Sequence, residues 1–127
     1  MKSMKNMKAA RREPGVLLVN DAVLVARVER AVSTLERMRG LLGRRGLPAG
    51  EGLLIERCGS IHTVGMRFAI DVVFLDRAWQ VCLVVRNVRP GRLCVFGGWR
   101  ASRCLEVGAG WLDTSALAPG AALTWRA

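Results

Sequence analysis

The sequence predicts a mainly β single domain, a small antiparallel sandwich or barrel with one short α-helix in its N-terminal third. Three observations carry this expectation. Short β-branched and aromatic segments recur along the chain between Gly, Pro or Asp residues, which is the rhythm of strands and tight turns. A single stretch, between Ser33 and Gly43, switches to helical spacing. The length of 127 residues suits one domain, large enough to bury most of its apolar surface without staples.

Residues 1–15 form a compositional zone of their own. Lys2, Lys5, Lys8, Arg11 and Arg12 place five positive charges there, half of the net +10 of the chain. A solvated, disordered tail is the plain expectation. A phosphate-binding arm is the functional alternative, weakened because no aromatic residue interleaves the charges to stack on bases. The compact domain is expected over residues 16–127, with residues 16–19 and 23–30 as two strands around an Asn20-Asp21 turn.

The period then changes. Ser33 and Glu36 form a capping box, Leu35, Met38 and Leu42 recur at helical spacing, and Gly43 supplies a stop. Residues 34–42 should therefore form an amphipathic helix whose apolar stripe lies in the core. Residues 52–56 begin the next strand, and residues 60–63, 68–75, 80–86, 93–96, 103–107 and 121–125 complete the set.

Polar residues inside apolar strands mark the candidate site. Pleat alternation puts Phe68, Ile70, Val72 and Phe74 on one face and Ala69, Asp71, Val73 and Leu75 on the other, so Asp71 shares an apolar face. An unpaired carboxylate there would cost several kcal/mol, so Asp71 must meet a cation, backbone N–H groups or water. Gly65 allows a bend that could bring His62, the sole histidine, together with Arg67 and Asp71. A carboxylate-held histidine can act as a general base, with Ser60 or Cys58 as its nucleophile. The structural reading is the stronger one for each residue: Asp71 as a satisfied core carboxylate, bonded to backbone or paired with Arg44 or Arg67, and His62 as a hydrogen-bonding residue. Glu106, between Leu105 and Val107, is a second acid in a strand and could pair with Arg39 or Arg44.

Other features bound the function. Cys58, Cys82, Cys94 and Cys104 contain no CxxC pair, and Cys58 and His62 on a straight strand would lie ~13 Å apart. The cysteines are therefore expected to be small buried hydrophobes, and no metal or cofactor is expected. Arg86, Arg89, Arg92, Arg100 and Arg103 suggest a positive patch that could steer an anionic ligand, nucleic acid or an acidic partner. Signatures of base-specific readers are missing. No apolar run approaches the roughly 20 residues of a membrane span. The basic start is followed by EPG instead of an apolar signal segment, so the cytoplasm is the expected location.

The segments MRGLLGR (38–44), SIHTVGMRFAIDVVFLD (60–76) and CLEVGAG (104–110), in this order, resemble the bacterial and archaeal family named domain of unknown function 192. The resemblance covers about residues 16–125 and implies a single mainly β domain with a short helix near its start. It implies no established activity. Ala69 stands where similar members often have proline, Ala78 and Trp79 fill a turn that usually contains aspartate and glycine, and Ala121 replaces a common late acidic residue.

Three classes of function follow. A non-catalytic binding or accessory module is preferred, holding an anionic small ligand or a protein partner near His62, Arg67, Arg44, Asp71 and Glu106. The alternative is a small hydrolase-like enzyme with His62 as base, Asp71 as its orienter and Ser60 or Cys58 as nucleophile. A sequence-indifferent nucleic-acid binder, using the tail and the arginine patch, is the third.

Overall fold

The computed structural model describes residues 12–127, so residues 1–11 of the basic tail expected over residues 1–15 lie outside the described residues, while Gly15 already belongs to the first strand. Strands β1 (Gly15–Val19) and β2 (Ala22–Ala31) form the expected hairpin. Asn20 and Asp21 both take positive φ, 51° and 63°. That backbone matches the twist of the flanking strands, and short polar side chains tolerate it best.

Helix α1 (Thr34–Arg39) starts on the expected capping box: Ser33 Oγ accepts from Glu36 N at 3.1 Å, and Glu36 Oε1 accepts from Ser33 N at 2.9 Å. Its end and its packing differ from expectation. The chain leaves the helix at Gly40, with φ 49°, three residues before Gly43. Leu35 and Met38 are 71% and 70% exposed instead of buried. A helix of six residues has fewer than two turns and lays down no continuous stripe. The segment is anchored instead by Leu41, 2% exposed, in the turn that follows.

The remaining strands are β3 (Glu51–Glu56), β4 (Ser60–Ile61), β5 (Ile70–Leu75), β6 (Val81–Val88), β7 (Val95–Phe96), β8 (Arg103–Gly108) and β9 (Leu123–Arg126). Seven of them form one sheet in the order β6-β5-β8-β3-β2-β1-β9, and β4 pairs with β7 in a small second sheet. Every pairing is antiparallel except β2 with β3, which the α1 connection makes possible because a parallel return needs a long crossover. The large sheet curls until its edges touch. Gln80 bridges Ala122, and Leu123 N donates to Trp79 O at 2.8 Å.

This curl gives the domain two apolar layers. Inside it pack Leu17, Val25, Leu54, Val73, Leu105 and Leu123. On the outer face of β3, β5 and β8, residues Leu53, Ile55, Val72, Phe74 and Cys104 pack beneath Leu41, Ile61, Met66 and Val95. The alternation expected around Asp71 holds, with Ile70, Val72 and Phe74 in the outer layer and Val73 and Leu75 in the inner one. The small sheet sits close on the large one: Gly97 lies against the Phe74 ring, and any side chain there would strike it. No helix among the described residues is long and apolar enough to cross a membrane.

Candidate functional site

Alternation along β8 sends Leu105 and Val107 into the curl and Cys104 and Glu106 to the outer layer. Glu106 lies between Leu53 of β3 and Val72 of β5 in the sheet register. The turn after α1 passes over it, so that a side chain at Gly40 would begin 3.9 Å from Glu106 Oε1. From the other side, β4 supplies Ser60 and the chain just beyond it supplies His62. The result is a cavity of about 290 Å³ whose polar lining comprises Arg37, Arg39, Cys58, Ser60, His62 and Glu106.

The electrostatics of this cavity are unusual. Glu106 is only 3% exposed. Ion pairs among the described residues engage Glu29, Glu36 and Glu56, and leave Glu106 outside them. Arg44, one of its two candidate partners, pairs with Glu29 at 3.2 Å instead. Burial in the first place, and the nearby Cys58 sulfur in the second, push the Glu106 carboxyl from 4.5 to about 8. At neutral pH it is therefore a protonated acid with a proton free to be donated from the cavity wall. Arg37 donates from Nη2 to Arg57 O at 2.7 Å, while its Nε is buried without a partner.

Asp71 is built differently. It is 4% exposed and points away from this cavity, on the face of Val73 and Leu75. Its Oδ1 accepts from Asn87 N at 2.8 Å and its Oδ2 from Gly110 N at 3.1 Å. The β5–β6 ladder is irregular between Ile70 and Val72, where Asn87 takes φ 52°, and the carboxylate replaces the ladder partner that this bulge removes. The expected convergence of His62, Arg67 and Asp71 is thus not what the fold brings together. His62 reaches the cavity of Glu106, Asp71 is saturated by backbone in the other layer, and Arg67 is exposed.

The cysteines also depart from a uniform buried set. Cys94 is exposed, Cys58 and Cys82 are half-buried, and Cys104 is buried. Cys58 Sγ lies 3.6 Å from Cys104 Sγ and 3.2 Å from Ser60 O. Arg57, with φ 49°, bends the chain after β3, and Cys58 and His62 both line one cavity despite their spacing. Among the described residues, no group of three or more His, Cys, Asp or Glu side chains is placed to hold a metal ion.

Sequence reasoning missed the role of Arg37 and the Cys58–Cys104 contact. The first signal available was the alternation in β8, which separates Glu106 from Leu105 and Val107. Thr63 was also missed as a tie: its Oγ1 donates to Arg89 O at 2.7 Å and accepts from Arg92 N at 2.9 Å, fixing the loop that displays both arginines. In the expected patch Arg86, Arg89, Arg92 and Arg100 are exposed, whereas Arg103 turns to Glu56 at 3.2 Å and lies 4.1 Å over the Trp79 ring. A larger cavity of about 380 Å³ opens beside Glu56, Cys58, Arg77 and Arg103. Its Glu56 and Arg103 charges are already paired, so the smaller cavity is the better candidate site.

No curated protein matches the chain. Two crystal structures share its fold. A protein of unknown function from Novosphingobium aromaticivorans is 21% identical, with a TM-score of 0.74 over 88% of this chain and 84% of that one. A proposed transcription regulator from Sinorhizobium meliloti is 22% identical, with a TM-score of 0.71 over 89% of this chain and 92% of that one. The family model for domain of unknown function 192 (DUF192, uncharacterized ACR) matches residues 16–125, the span that builds the curled sheet and the cavity, and the chain belongs to this family.

Proposed function

We propose that the domain is a non-catalytic binding module that takes a small anionic ligand into the cavity of Glu106. The observation that carries this reading is a protonated carboxyl, 3% exposed and without an ion pair, on a cavity that Arg37, Arg39 and His62 also line. A neutral acid donates a hydrogen bond to an anion without opposing its charge, while the two guanidiniums attract it. The volume, about 290 Å³, suits a ligand at the small end of the usual range. We place the protein in the cytoplasm, whose reducing conditions keep cysteines as the free thiols found here.

Thermal melts with phosphate, citrate and nucleoside monophosphates test the binding reading. At least one should raise the melting temperature, by the equivalent of about 2.7 kcal/mol at a hundred times its Kd. Arg37→Ala combined with Arg39→Ala should remove that rise. A rise that survives the double variant would place binding elsewhere.

Ser60, His62 and Cys58 line one cavity, and this favours a second reading, a hydrolase-like enzyme. In that reading His62 is the base and Ser60 or Cys58 the nucleophile. Esterase, amidase or phosphatase turnover lost in His62→Gln at unchanged melting temperature would replace the binding module with the enzyme.

A further inference from the structure

Cys58 lines the cavity of Glu106, but its pairing with Cys104 plays no part in the anion-binding reading and has its own geometry. The two sulfurs are 3.6 Å apart, and Cys58 lines both cavities, so that solvent reaches it from two sides while Cys104 is fully buried behind it. Cys104 sits on the rigid β8 strand, whereas Cys58 lies in the connection between β3 and β4, flanked by Arg57 in a left-handed conformation and by Gly59. Closing a disulfide needs the sulfurs to approach to about 2.05 Å, a movement the Cys58 side can supply.

We propose that Cys58 and Cys104 are a dithiol that reduces small organic disulfides, with Cys58 attacking first and Cys104 resolving. The Cys58 thiolate attacks one sulfur of R–S–S–R, the S–S bond breaks, and a Cys58–S–S–R mixed disulfide forms as RS⁻ leaves and takes a proton from water. The Cys104 thiol then loses its proton to water and attacks the Cys58 sulfur. The mixed disulfide breaks, a second RS⁻ leaves and is protonated, and a Cys58–Cys104 disulfide remains. Two protein thiols are oxidised by two electrons, and one disulfide is reduced to two thiols.

The assigned order follows from the surroundings of each sulfur. The Cys104 thiol donates toward Cys58, which with Arg37 nearby holds the Cys58 thiol below its ordinary range despite partial burial. Cys104, next to that sulfur and buried, is held well above it. The thiolate is the nucleophile in such exchange, so the accessible Cys58 reacts first.

The test uses the full reduced chain incubated with glutathione disulfide, followed by alkylation and peptide mass spectrometry. The expected product is a Cys58–Cys104 disulfide, with Cys82 left alkylated. In Cys104→Ser, Cys58 should accumulate as its glutathione mixed disulfide at least tenfold faster than the exposed Cys94. Wild-type protein in which Cys58 and Cys104 both remain alkylatable while Cys94 takes up glutathione would overturn the proposal. So would a Cys104→Ser chain that reacts at Cys94 before Cys58. The wild-type map decides the question even if that variant does not fold.

Discussion

Asp71 and Glu106 are both buried carboxylates on neighbouring strands, yet they have opposite surroundings. In the register of β5 and β8, Asp71 lies beside Val107 and Glu106 beside Val72, so the pleat sends them into different layers. Asp71 receives a backbone N–H on each oxygen and completes a bulge. Glu106 receives no such partner and is pushed to about 8 by burial. The lesson is that burial alone does not mark a functional carboxylate. A buried acid whose oxygens are saturated is a structural part, and one left without partners beside a cavity stores free energy that a ligand can recover.

The largest effect that would sharpen this contrast is the pH dependence of stability. Because the folded-state pKa of Glu106 is raised, from 4.5 to about 8, its contribution is fully present below 4.5 and is lost as pH rises to 8. The loss should amount to roughly 3–5 kcal/mol across that window. Denaturant melts of Glu106→Gln should lack this decline and leave the variant more stable than wild type at pH 8.

Asp71→Ala is the mirror experiment. It strands the Asn87 and Gly110 amides in a buried place and should destabilise the domain by roughly 2–4 kcal/mol at neutral pH. A melt unchanged by Asp71→Ala would break the comparison, since both carboxylates would then be dispensable to the fold. The smallest effect is expected at the cap of α1. Ser33→Ala should cost about 1 kcal/mol and loosen the turn over Glu106, drawing its titration toward lower pH while leaving the Asp71 bonds intact. An unchanged Glu106 titration in that variant would mean that the turn does not seal the cavity.

Much of this arrangement was legible in the sequence because it depends on local rules. The Asn20-Asp21 turn, the Ser33–Glu36 capping box and the alternation through Ile70 to Leu75 each follow from neighbours in the chain, and the structure reproduces them. The cavity depends on distant pairings instead. Which layer Glu106 enters is fixed by β8 lying between β3 and β5, and no local pattern specifies that order. Cys58 and Cys104 are brought together by the same pairing, with the Arg57 bend completing the contact. The helix misled for a related reason: the apolar spacing of Leu35 and Met38 is helical, but what buries a stripe is a partner surface, and here Leu41 takes that place. Trp79 is a further case. It occupies a left-handed turn position, φ 63°, that favours glycine, and its ring lies beside Trp125, with centroids 6.4 Å apart, and under Arg103.

The most direct test of the central claim is the titration of Glu106 itself. Carbon-detected NMR of the side-chain carboxyl across pH 4 to 9, assigned by the signal missing in Glu106→Gln, reads the protonation of this one group. A midpoint near 8 is the expected result. A midpoint near 4.5, the ordinary value, would show a solvated carboxylate and contradict the account of the cavity.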